Sequence, residues 1–426
     1  MSEIYDVIVV GGGAAGVGAA VGASLAGART ALLERGPCLG GAATLRNVTT
    51  YCGLYSCSDQ PEQVVFGVAE RILAGLRAEG AVSAPIRANA VYVTVDPEAV
   101  KRTLDTVCQD AGVEILLHTT LVAAHRDANA GRITRVTVAD AGGVREMTAR
   151  AFVDTSGDAA LTAFAGADTR YGDEGRAMTG TLGVRFGGVA PDADTTHDSV
   201  RAAVTKALAE GVGPLTSATG LITRIPLSDN VVVYLADEDY DVRDTRSLTR
   251  AEIHARRQAH VYLDVLRTLP GWAQAYIAST GPELGTRESR HVITRRKLDR
   301  SHVLEGRRDP DAVAVGAWPV EYHPGAGVPS IWKYIADGGT YDIPLDALAS
   351  AHTANLFAAG RLLDGDRGAA ASLRVMGTSF GTGQAAGVAA ARTAAHPTTA
   401  ASVSEVRNEL QSQDARLPHR HLAPTH

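Results

Sequence analysis

This chain of 426 residues has few cysteines, few lysines and a small net charge, and these features limit the classes of protein to which it can belong. Four cysteines are too few for a disulfide framework in a chain of this length. A formal net charge of −6, with no strongly basic segment, gives no reason to expect nucleic acid or an anionic membrane as a partner. Only four of the 41 basic residues are lysine, an arginine bias that indicates a GC-rich bacterial genome.

One stretch, Val7–Ala28, lacks charge altogether and raises the question of a membrane span. It contains seven glycines, however, and each glycine costs a helix about 1 kcal/mol relative to alanine. We therefore interpret the stretch as a strand, a tight turn and a closely packed helix. The first predicted strand begins at Ile4, which leaves no room for a secretory leader, so we expect a cytoplasmic protein.

What the chain does have is a dinucleotide-binding pattern at its start. An apolar strand over Ile4–Val10 is followed by the turn Gly11-Gly12-Gly13-Ala14-Ala15-Gly16, a helix to about residue 26, and a strand that ends at Glu34. In this context Gly11 permits the tight turn, Gly13 lets a pyrophosphate approach the backbone, and Gly16 lets helix and strand pack closely. The helix N-terminus would bind phosphate, and Glu34 would bind the adenosine ribose.

The remaining pattern is that of strands alternating with helices, which predicts an α/β fold. Helices are predicted at 61–78, 97–111, 250–269, 378–394 and 403–413, and strands at 30–33, 114–122, 133–139, 147–154 and 355–359. The helix at 97–111 has clear boundary signals, because Asp96 can cap it, Pro97 suits its first turn and Gly112 follows its end.

Two features favour FAD over NAD as the dinucleotide. FAD is elongated, so its flavin end must be held by segments far from the first turn. Gly40–Thr44 offers a second stretch of backbone able to lie against phosphates, and Asn355–Arg361 returns a strand to the same sheet late in the chain. No second GxGxxG follows a strand, so we expect no separate NAD(P)H domain.

With these features the chain resembles the FAD-dependent oxidoreductases of the glutathione-reductase-like fold, and more narrowly the group named FAD-dependent oxidoreductase family proteins. The matching segments run in the expected order over nearly the whole chain: Gly11–Gly16 with Glu34, Leu39–Thr44, Asp96–Leu121, Asp154–Ala159 (DTSGDA), Gly285–Arg290 (GTRESR), Tyr341–Pro344 (YDIP) and Asn355–Ala391. The resemblance implies a Rossmann-like FAD-binding domain of the glutathione-reductase type, over residues 1–167 and 345–396. An inserted α+β substrate or cap domain would occupy 168–344, and a tail would follow at 397–426.

The resemblance also implies where FAD binds. Val122 would lie beside the adenine, Asp364 would bond the ribityl hydroxyls, and Arg374 with the helix after Gly377 would stabilise negative charge at the flavin N1–O2 edge. The full set of implied FAD-binding residues is Gly11, Gly13, Ala14, Ala15, Gly16, Glu34, Arg35, Gly41, Ala42, Thr44, Val122, Gly157, Arg361, Asp364, Arg374, Val375, Met376 and Gly377.

We expect this FAD to be bound noncovalently. No histidine occurs in Gly40–Tyr51, where relatives of the succinate dehydrogenase class attach their flavin, and Cys38 is close in sequence to the pyrophosphate turn. Cys52 and Cys57 come after the second glycine turn, where the chain should pass the flavin. They are either free buried thiols or a redox-active pair with Cys-x4-Cys spacing.

Four residues are candidates for the chemistry. His323 and Tyr341 lie in the motifs WPVEYH and TYDIP, and either could remove the proton that accompanies hydride transfer. Alternatively, His323 is a structural hydrogen-bonding residue, and the ring of Tyr341 packs beside the flavin. Arg287 and Arg290 could hold a substrate carboxylate in a fork, or they could pair with nearby glutamates and fix the domain junction.

The sequence thus predicts a flavin dehydrogenase or oxidase that transfers hydride between flavin N5 and a small organic metabolite, plausibly in bacterial specialised metabolism. An NAD(P)H-dependent flavin monooxygenase is one alternative, since DTSGDA loosely resembles a motif of those hydroxylases, although Asp364–Arg367 replaces their late Gly-Asp signature. A non-redox protein with structural FAD is another. The expected partner is a small-molecule substrate, and a homodimer is left open. We expect no metal site, and we interpret His419, His421 and His426 as surface residues of the tail.

Overall fold

Sheets of two kinds organise the chain in the computed structural model, which describes residues 4–417. The strands are β1 (Ile4–Val10), β2 (Thr30–Leu33), β3 (Thr50–Cys52), β4 (Ile86–Arg87), β5 (Val91–Thr94), β6 (Glu114–Leu116), β7 (Thr120–Asp127), β8 (Arg132–Asp140), β9 (Gly143–Asp154), β10 (Thr169–Tyr171), β11 (Gly180–Gly187), β12 (Ile222–Arg224), β13 (Val231–Glu238), β14 (Tyr276–Thr280), β15 (Arg290–Val292), β16 (Ala312–Gly316), β17 (Val320–Tyr322), β18 (Ile331–Lys333), β19 (Tyr341–Pro344) and β20 (Leu356–Ala358). The helices are α1 (Ala14–Leu25), α2 (Ala42–Leu45), α3 (Val68–Ala78), α4 (Pro97–Asp110), α5 (Ala160–Phe164), α6 (His197–Ala209), α7 (Thr245–Leu266), α8 (Arg300–Leu304), α9 (Arg367–Leu373), α10 (Met376–Ala395) and α11 (Val403–Ser412).

The main sheet is mixed, and its parallel part confirms the α/β prediction. Its order is β6-β2-β1-β9-β8-β7, with β20 beside β9. Strands β6, β2, β1, β20 and the second half of β9 are parallel, whereas β8 and β7 are antiparallel additions. Val10 is opposite both Leu33 and Asp154, so the carboxyl ends of three parallel strands meet at one edge. Ligands bind at such an edge in open α/β sheets.

Helices α1 and α10 pack together closely enough to explain their many glycines. A Cβ atom at Gly387 would lie 1.9 Å from the Ala19 carbonyl oxygen, and one at Gly383 would lie 2.1 Å from the Ala15 carbonyl oxygen. No side chain fits at these distances, so the two backbones require glycine there. Because both pairs advance in the same direction along the two helices, α1 and α10 run parallel and direct their N-termini to the same side of the molecule.

A second, antiparallel sheet has its own hydrophobic cluster. Its order is β12-β13-β11-β14, and α6 and α7 pack against it. The buried side chains of this cluster lie between Leu182 and Leu284, and Phe186 meets Trp272 edge to face at 5.9 Å. Buried side chains from Leu298 to Ile343 belong instead to the cluster around β1 and α10. Trp318 is an exception, because it lies in a small cluster with Ala90 and Val375. The second cluster ends at Leu284, about sixty residues before the domain boundary predicted at 344.

The predicted helix at 97–111 is confirmed as α4, and the Asp96 carboxylate accepts hydrogen bonds from the N–H groups of Glu98 and Ala99. The prediction of one strand over 114–122 is wrong. Residues 114–122 contribute to β6 and to β7, which lie at opposite ends of the main sheet, because the chain turns at His118 with φ at 53°.

Two helix boundaries also differ from the sequence prediction. The helix predicted from 61 begins only at Val68, after Gly67 with φ at 63°, and the helix predicted at 250–269 spans Thr245–Leu266.

In the predicted tail, α11 buries Val406 and Leu410 in the larger cluster. His419, His421 and His426 lie outside the described residues. Within residues 4–417 no helix combines the length and the apolar character needed to cross a bilayer.

Candidate cofactor and active site

Of the three motif glycines in the first turn, Gly11 and Gly16 are required by the packing of the protein itself, and Gly13 is not. A Cβ atom at Gly11, where φ is 102°, would lie 2.5 Å from the Thr155 carbonyl oxygen. At Gly16 it would lie 1.7 Å from the Gly11 carbonyl oxygen. At Gly13 the nearest protein atom would be the Gly41 Cα, at 4.0 Å. The space beside Gly13 is therefore available to a ligand, as a pyrophosphate site needs.

Glu34 lies against this turn at the end of β2. Its buried carboxylate accepts hydrogen bonds from the backbone N–H groups of Gly12 and Gly36, each at 2.7 Å. A carboxylate has about four acceptor positions, so two remain for ribose hydroxyls. The neighbouring Arg35 is exposed and pairs with Glu283 at 2.5 Å.

The second glycine turn connects the first turn to a large cavity. Gly40 donates its N–H to the Gly12 carbonyl oxygen at 2.8 Å, and Gly40 and Gly13 form a parallel β-bridge. A Cβ atom at Gly41 would lie 3.0 Å from the Gly13 Cα. Ala42, the next residue, lines the cavity, whereas the Thr44 hydroxyl is bonded within the turn to the Leu39 carbonyl oxygen. The two turns therefore form one continuous surface that ends at the cavity wall.

This cavity has a volume of about 620 Å³ and brings together parts of the chain that are far apart in sequence. Pockets of about 300–1,000 Å³ with a few convergent polar groups are typical ligand sites. Of the predicted FAD-binding residues, Ala42, Arg361, Arg374, Val375 and Met376 line it, and of the predicted catalytic residues, Arg287 and His323 do. Lining residues that sequence reasoning did not single out include Arg46, Tyr92, Tyr234, Asp237, Trp318, Glu321 and Trp332.

Arg361 fastens the DTSGDA turn to the GTRESR segment. Its guanidinium donates to the Gly157 carbonyl oxygen at 2.7 Å, to the Asp158 carboxylate at 2.9 Å and to the Thr286 hydroxyl at 2.7 Å. A Cβ atom at Gly157 would lie 2.8 Å from this guanidinium, so Gly157 makes the contact possible. Burial alone would raise the pKa of Asp158, but the charge of Arg361 lowers it below the usual value.

Glu321 joins three cavity residues in one hydrogen-bonded group. Its Oε2 accepts from the Arg374 guanidinium and from the Trp318 indole, each at 3.0 Å, and its Oε1 lies 3.1 Å from His323 Nε2. Burial alone would raise the pKa of Glu321, but the positive charge of Arg374 and the bond to His323 lower it to about 2. Burial and the nearby charge of Arg287 lower the pKa of His323 to about 4. Near neutral pH the group therefore contains a carboxylate and a neutral imidazole.

Two long helices direct uncapped N-termini towards the predicted cofactor path. Helix α1 has Gly13 as its N-cap, and α10 has Val375; neither receives a side-chain cap. By contrast, α4, α6, α7, α9 and α11 are capped by their own Asp, Thr or Ser residues. Helix α3 is also uncapped, but the Gln384 side chain accepts its first N–H. Free N–H groups at α1 and α10 suit an anionic ligand.

Gly377 has a packing role in this arrangement. A Cβ atom there would lie 2.5 Å from the Cys52 carbonyl oxygen, so Gly377 lets the first turn of α10 approach β3. Arg374, just before α10, has a buried Nε without a hydrogen-bond partner among the described residues. This donor is in the wall where the flavin end of FAD was predicted.

Tyr341, Arg290, Asp364 and Val122 are among the predicted site residues that do not line the cavity. Tyr341 is fully buried, and its hydroxyl bonds the Ser372 hydroxyl at 2.8 Å, which argues against contact with a substrate. Arg290 donates to the Asp158 carbonyl oxygen at 3.4 Å. The Asp364 carboxylate pairs through Oδ1 with Arg170 at 3.0 Å. Val122 is 43% exposed in the irregular start of β7.

Cys52 and Cys57 are both free thiols in the structure, although Cys52 lines the cavity. Burial, followed by the nearby Glu321 charge, raises the pKa of Cys52 to about 12. Burial also raises the pKa of Cys57. Both groups are thus protonated near pH 7, and a protonated thiol is a poor nucleophile.

Comparison with known proteins defines the class. Residues 6–413 match the family described as FAD dependent oxidoreductase, so the chain belongs to that family and FAD is its cofactor. No curated protein matches the chain significantly.

Similar solved structures include a geranylgeranyl bacteriochlorophyll reductase-like protein from Thermoplasma acidophilum, with 12% identity, a TM-score of 0.49, and coverage of 97% of this chain and 83% of that one. Anhydrotetracycline hydroxylase from Streptomyces rimosus has 15% identity and a TM-score of 0.47, over 96% of this chain and 65% of that one. The p-nitrophenol 4-monooxygenase of Pseudomonas putida has 14% identity and a TM-score of 0.39, over 70% of each chain. Similarities at this level do not indicate the substrate of this chain.

Proposed function

We propose that the chain is an enzyme that oxidises or reduces a small organic molecule inside the 620 Å³ cavity. The observation that carries the proposal is the composition of the cavity wall. Residues predicted to hold the flavin, Arg374 and Val375, share it with ionisable side chains of the other sheet and of the 285–323 region, including Arg287 and His323. When bound, FAD would supply a hydride acceptor or donor at N5.

The described residues suit FAD at its pyrophosphate, its adenosine ribose and its flavin end. The open space at Gly13 and the uncapped α1 would take the pyrophosphate, and Glu34 would take the ribose. The uncapped α10 and the unpartnered Arg374 Nε would face the flavin end. Since α1 and α10 run parallel, one elongated molecule could meet both N-termini. The assignments of Val122 and Asp364 stay predictions.

We also propose that the FAD-binding part is of the glutathione-reductase type and that the antiparallel sheet with α6 and α7 is the inserted cap domain. The separate hydrophobic cluster of residues 182–284 supports this division, and so does the position of the cavity, which is lined by Tyr234 and Asp237 of the antiparallel sheet and by Met376 of the larger cluster. The cytoplasmic location and a homodimer stay predictions.

His323 is the best candidate for a proton acceptor. An ionised carboxylate only accepts hydrogen bonds, so the proton between Glu321 Oε1 and His323 must reside on Nε2. The other nitrogen, Nδ1, is then unprotonated and able to take a proton from a substrate. Glu321 in turn is held by Arg374 and Trp318, so it fixes the orientation of the imidazole.

Anaerobic photoreduction followed by a substrate screen tests this function. We expect the gently purified protein to absorb in the flavin region, to bleach on illumination, and to bleach with at least one alcohol, amine or saturated C–C substrate. Joint consumption of NAD(P)H and O2, with oxygen gained by the product, would identify a monooxygenase instead. Protein that retains FAD but never exchanges electrons with any small molecule would contradict the proposal.

A further inference from the structure

Arg287 differs from the other arginines of the cavity wall in its partners. The Arg287 guanidinium has five N–H groups. Among the described residues it donates one hydrogen bond, to the Thr179 carbonyl oxygen at 2.8 Å. Within residues 4–417 it forms no ion pair at 4.0 Å or less. Burial lowers the pKa of Arg287, which is the direction expected for a desolvated cation, yet arginine stays charged in proteins.

The neighbouring cations each contact a carboxylate. Arg361 pairs with Asp158 at 2.9 Å, Arg374 with Glu321 at 3.0 Å, and Arg46 with Glu283 at 3.0 Å, a carboxylate that it shares with Arg35. Asp237 also lines the cavity and attracts Arg287 electrostatically, but it forms no ion pair with Arg287 at 4.0 Å or less. Among the described residues, Arg287 is therefore a cavity cation without a carboxylate in direct contact, and such a charge favours an anionic ligand.

The cavity also has an apolar, aromatic part of its wall. Trp318 and Trp332 both line the cavity, and their rings meet at 5.9 Å. The indole N–H of Trp318 is bonded to Glu321 and that of Trp332 to the Ser330 hydroxyl. Neither N–H is thus available to a ligand, so the two residues offer ring surface alone. Planar apolar molecules pack best against such surfaces.

We propose that the substrate is an aromatic or similarly planar carboxylate, with its carboxylate on Arg287 and its body against Trp318 and Trp332. This inference rests on the proposed function, because the cavity is the same one. Arg287 suits a carboxylate better than a phosphate monoester, because one guanidinium balances the single charge of a carboxylate, whereas a phosphate monoester carries about −1.5 to −2 near pH 7. The neutral imidazole of His323 adds no competing charge.

Calorimetric titration of the FAD-loaded enzyme with 2-naphthoate and its uncharged analogue 2-naphthamide tests the inference. We expect naphthoate to bind at least about tenfold more tightly than the amide, as a charge-assisted hydrogen-bond pair would give. Acetate, which has the charge without the rings, should bind much more weakly than naphthoate. Arg287→Gln should abolish the preference for naphthoate over the amide, and Arg287→Lys should keep part of it.

Arg290→Gln is the matched control, because Arg290 is on the same segment but outside the cavity. It should keep the wild-type preference. Equal affinity for naphthoate and naphthamide, no binding of naphthoate, or a preference that survives Arg287→Gln would overturn the inference. The visible spectrum of every sample reports FAD content separately, so an enzyme that holds FAD and turns over substrates but shows no carboxylate preference would contradict this inference alone. If Arg287→Gln does not fold, the wild-type comparison still decides.

Discussion

Substitution of Gly13 by valine should remove FAD without unfolding the protein. The backbone at Gly13 has φ −71° and ψ −174°, an extended conformation that any residue adopts. The nearest protein atom to a new Cβ would be 4.0 Å away, at Gly41. The side chain would therefore enter space that the protein leaves open and that the pyrophosphate is proposed to occupy.

The effect of Gly13→Val on the apoprotein is expected to be small because two terms oppose each other. Valine is a poor N-cap, which costs roughly 1 kcal/mol. Loss of glycine flexibility in the unfolded chain offsets this by about 0.4–1 kcal/mol. Gly16→Ala is the contrasting variant, since its Cβ would lie 1.7 Å from the Gly11 carbonyl oxygen. It should lower the free energy of unfolding by several times more, on the order of 3 kcal/mol.

The assay combines flavin absorbance per polypeptide with urea unfolding of FAD-stripped protein. Gly13→Val should hold less than about a tenth of the wild-type FAD, a binding loss of at least about 1.4 kcal/mol, and should unfold near the wild-type midpoint. Gly16→Ala should unfold at clearly lower urea. Normal FAD content in Gly13→Val would refute the proposed pyrophosphate site, and a Gly13→Val apoprotein as unstable as Gly16→Ala would refute the claim of open space.

Substitutions at two buried histidine–glutamate pairs give further predictions. His323 has its pKa lowered to about 4, below about 6.5 in the unfolded chain, so the unfolded state binds more protons between these pH values and stability rises with pH across that window. The free energy of unfolding of His323→Gln, measured in urea, should rise less across this window than that of the wild type, by at most about 3 kcal/mol. If the free energy of unfolding rose equally with pH in the variant and the wild type from pH 4 to 6.5, that would count against a neutral His323. His291 is fully buried, with Nδ1 2.7 Å from the Leu363 carbonyl oxygen and Nε2 2.8 Å from Glu288 Oε1. Glu288→Gln can bond a neutral imidazole, whereas Glu288→Ala leaves it unpaired, so alanine should destabilise by about 2–4 kcal/mol more than glutamine; equal midpoints would show that the pair contributes nothing.

The first glycine turn could be predicted from the sequence because its determinants are local. Gly16 contacts Gly11, and Glu34 contacts Gly12 and Gly36, all within a single βαβ unit. Gly11 has the positive φ of 102° that the tight turn itself imposes, although its closest packing is against Thr155. The same is true of α4, whose cap, first turn and end are adjacent in sequence.

Other features depend on distant parts of the chain and were missed for that reason. The helix predicted from residue 61 begins at Val68. Its first N–H is bonded to Gln384, which is more than three hundred residues away in sequence. Glu321 lies in the WPVEYH motif, yet its importance comes from Arg374, which only the folded chain brings to 3.0 Å. Nothing local indicates that Asp364 pairs with Arg170, which is far away in sequence.

The distribution of charge in the cavity is easier to explain by ligand binding than by stability. Replacing a buried ion pair by well-packed apolar residues often leaves stability unchanged or raises it, so pairs such as Arg374 with Glu321 are weak evidence for a structural role. Removing one partner of such a pair is costly, because an uncompensated charge then remains in a medium of low dielectric constant. Arg287 resembles that remaining partner, because within residues 4–417 no carboxylate lies within 4.0 Å of its guanidinium. A substrate carboxylate that enters the cavity would form an ion pair with Arg287. The free energy of this pairing would then help to hold the substrate against the flavin.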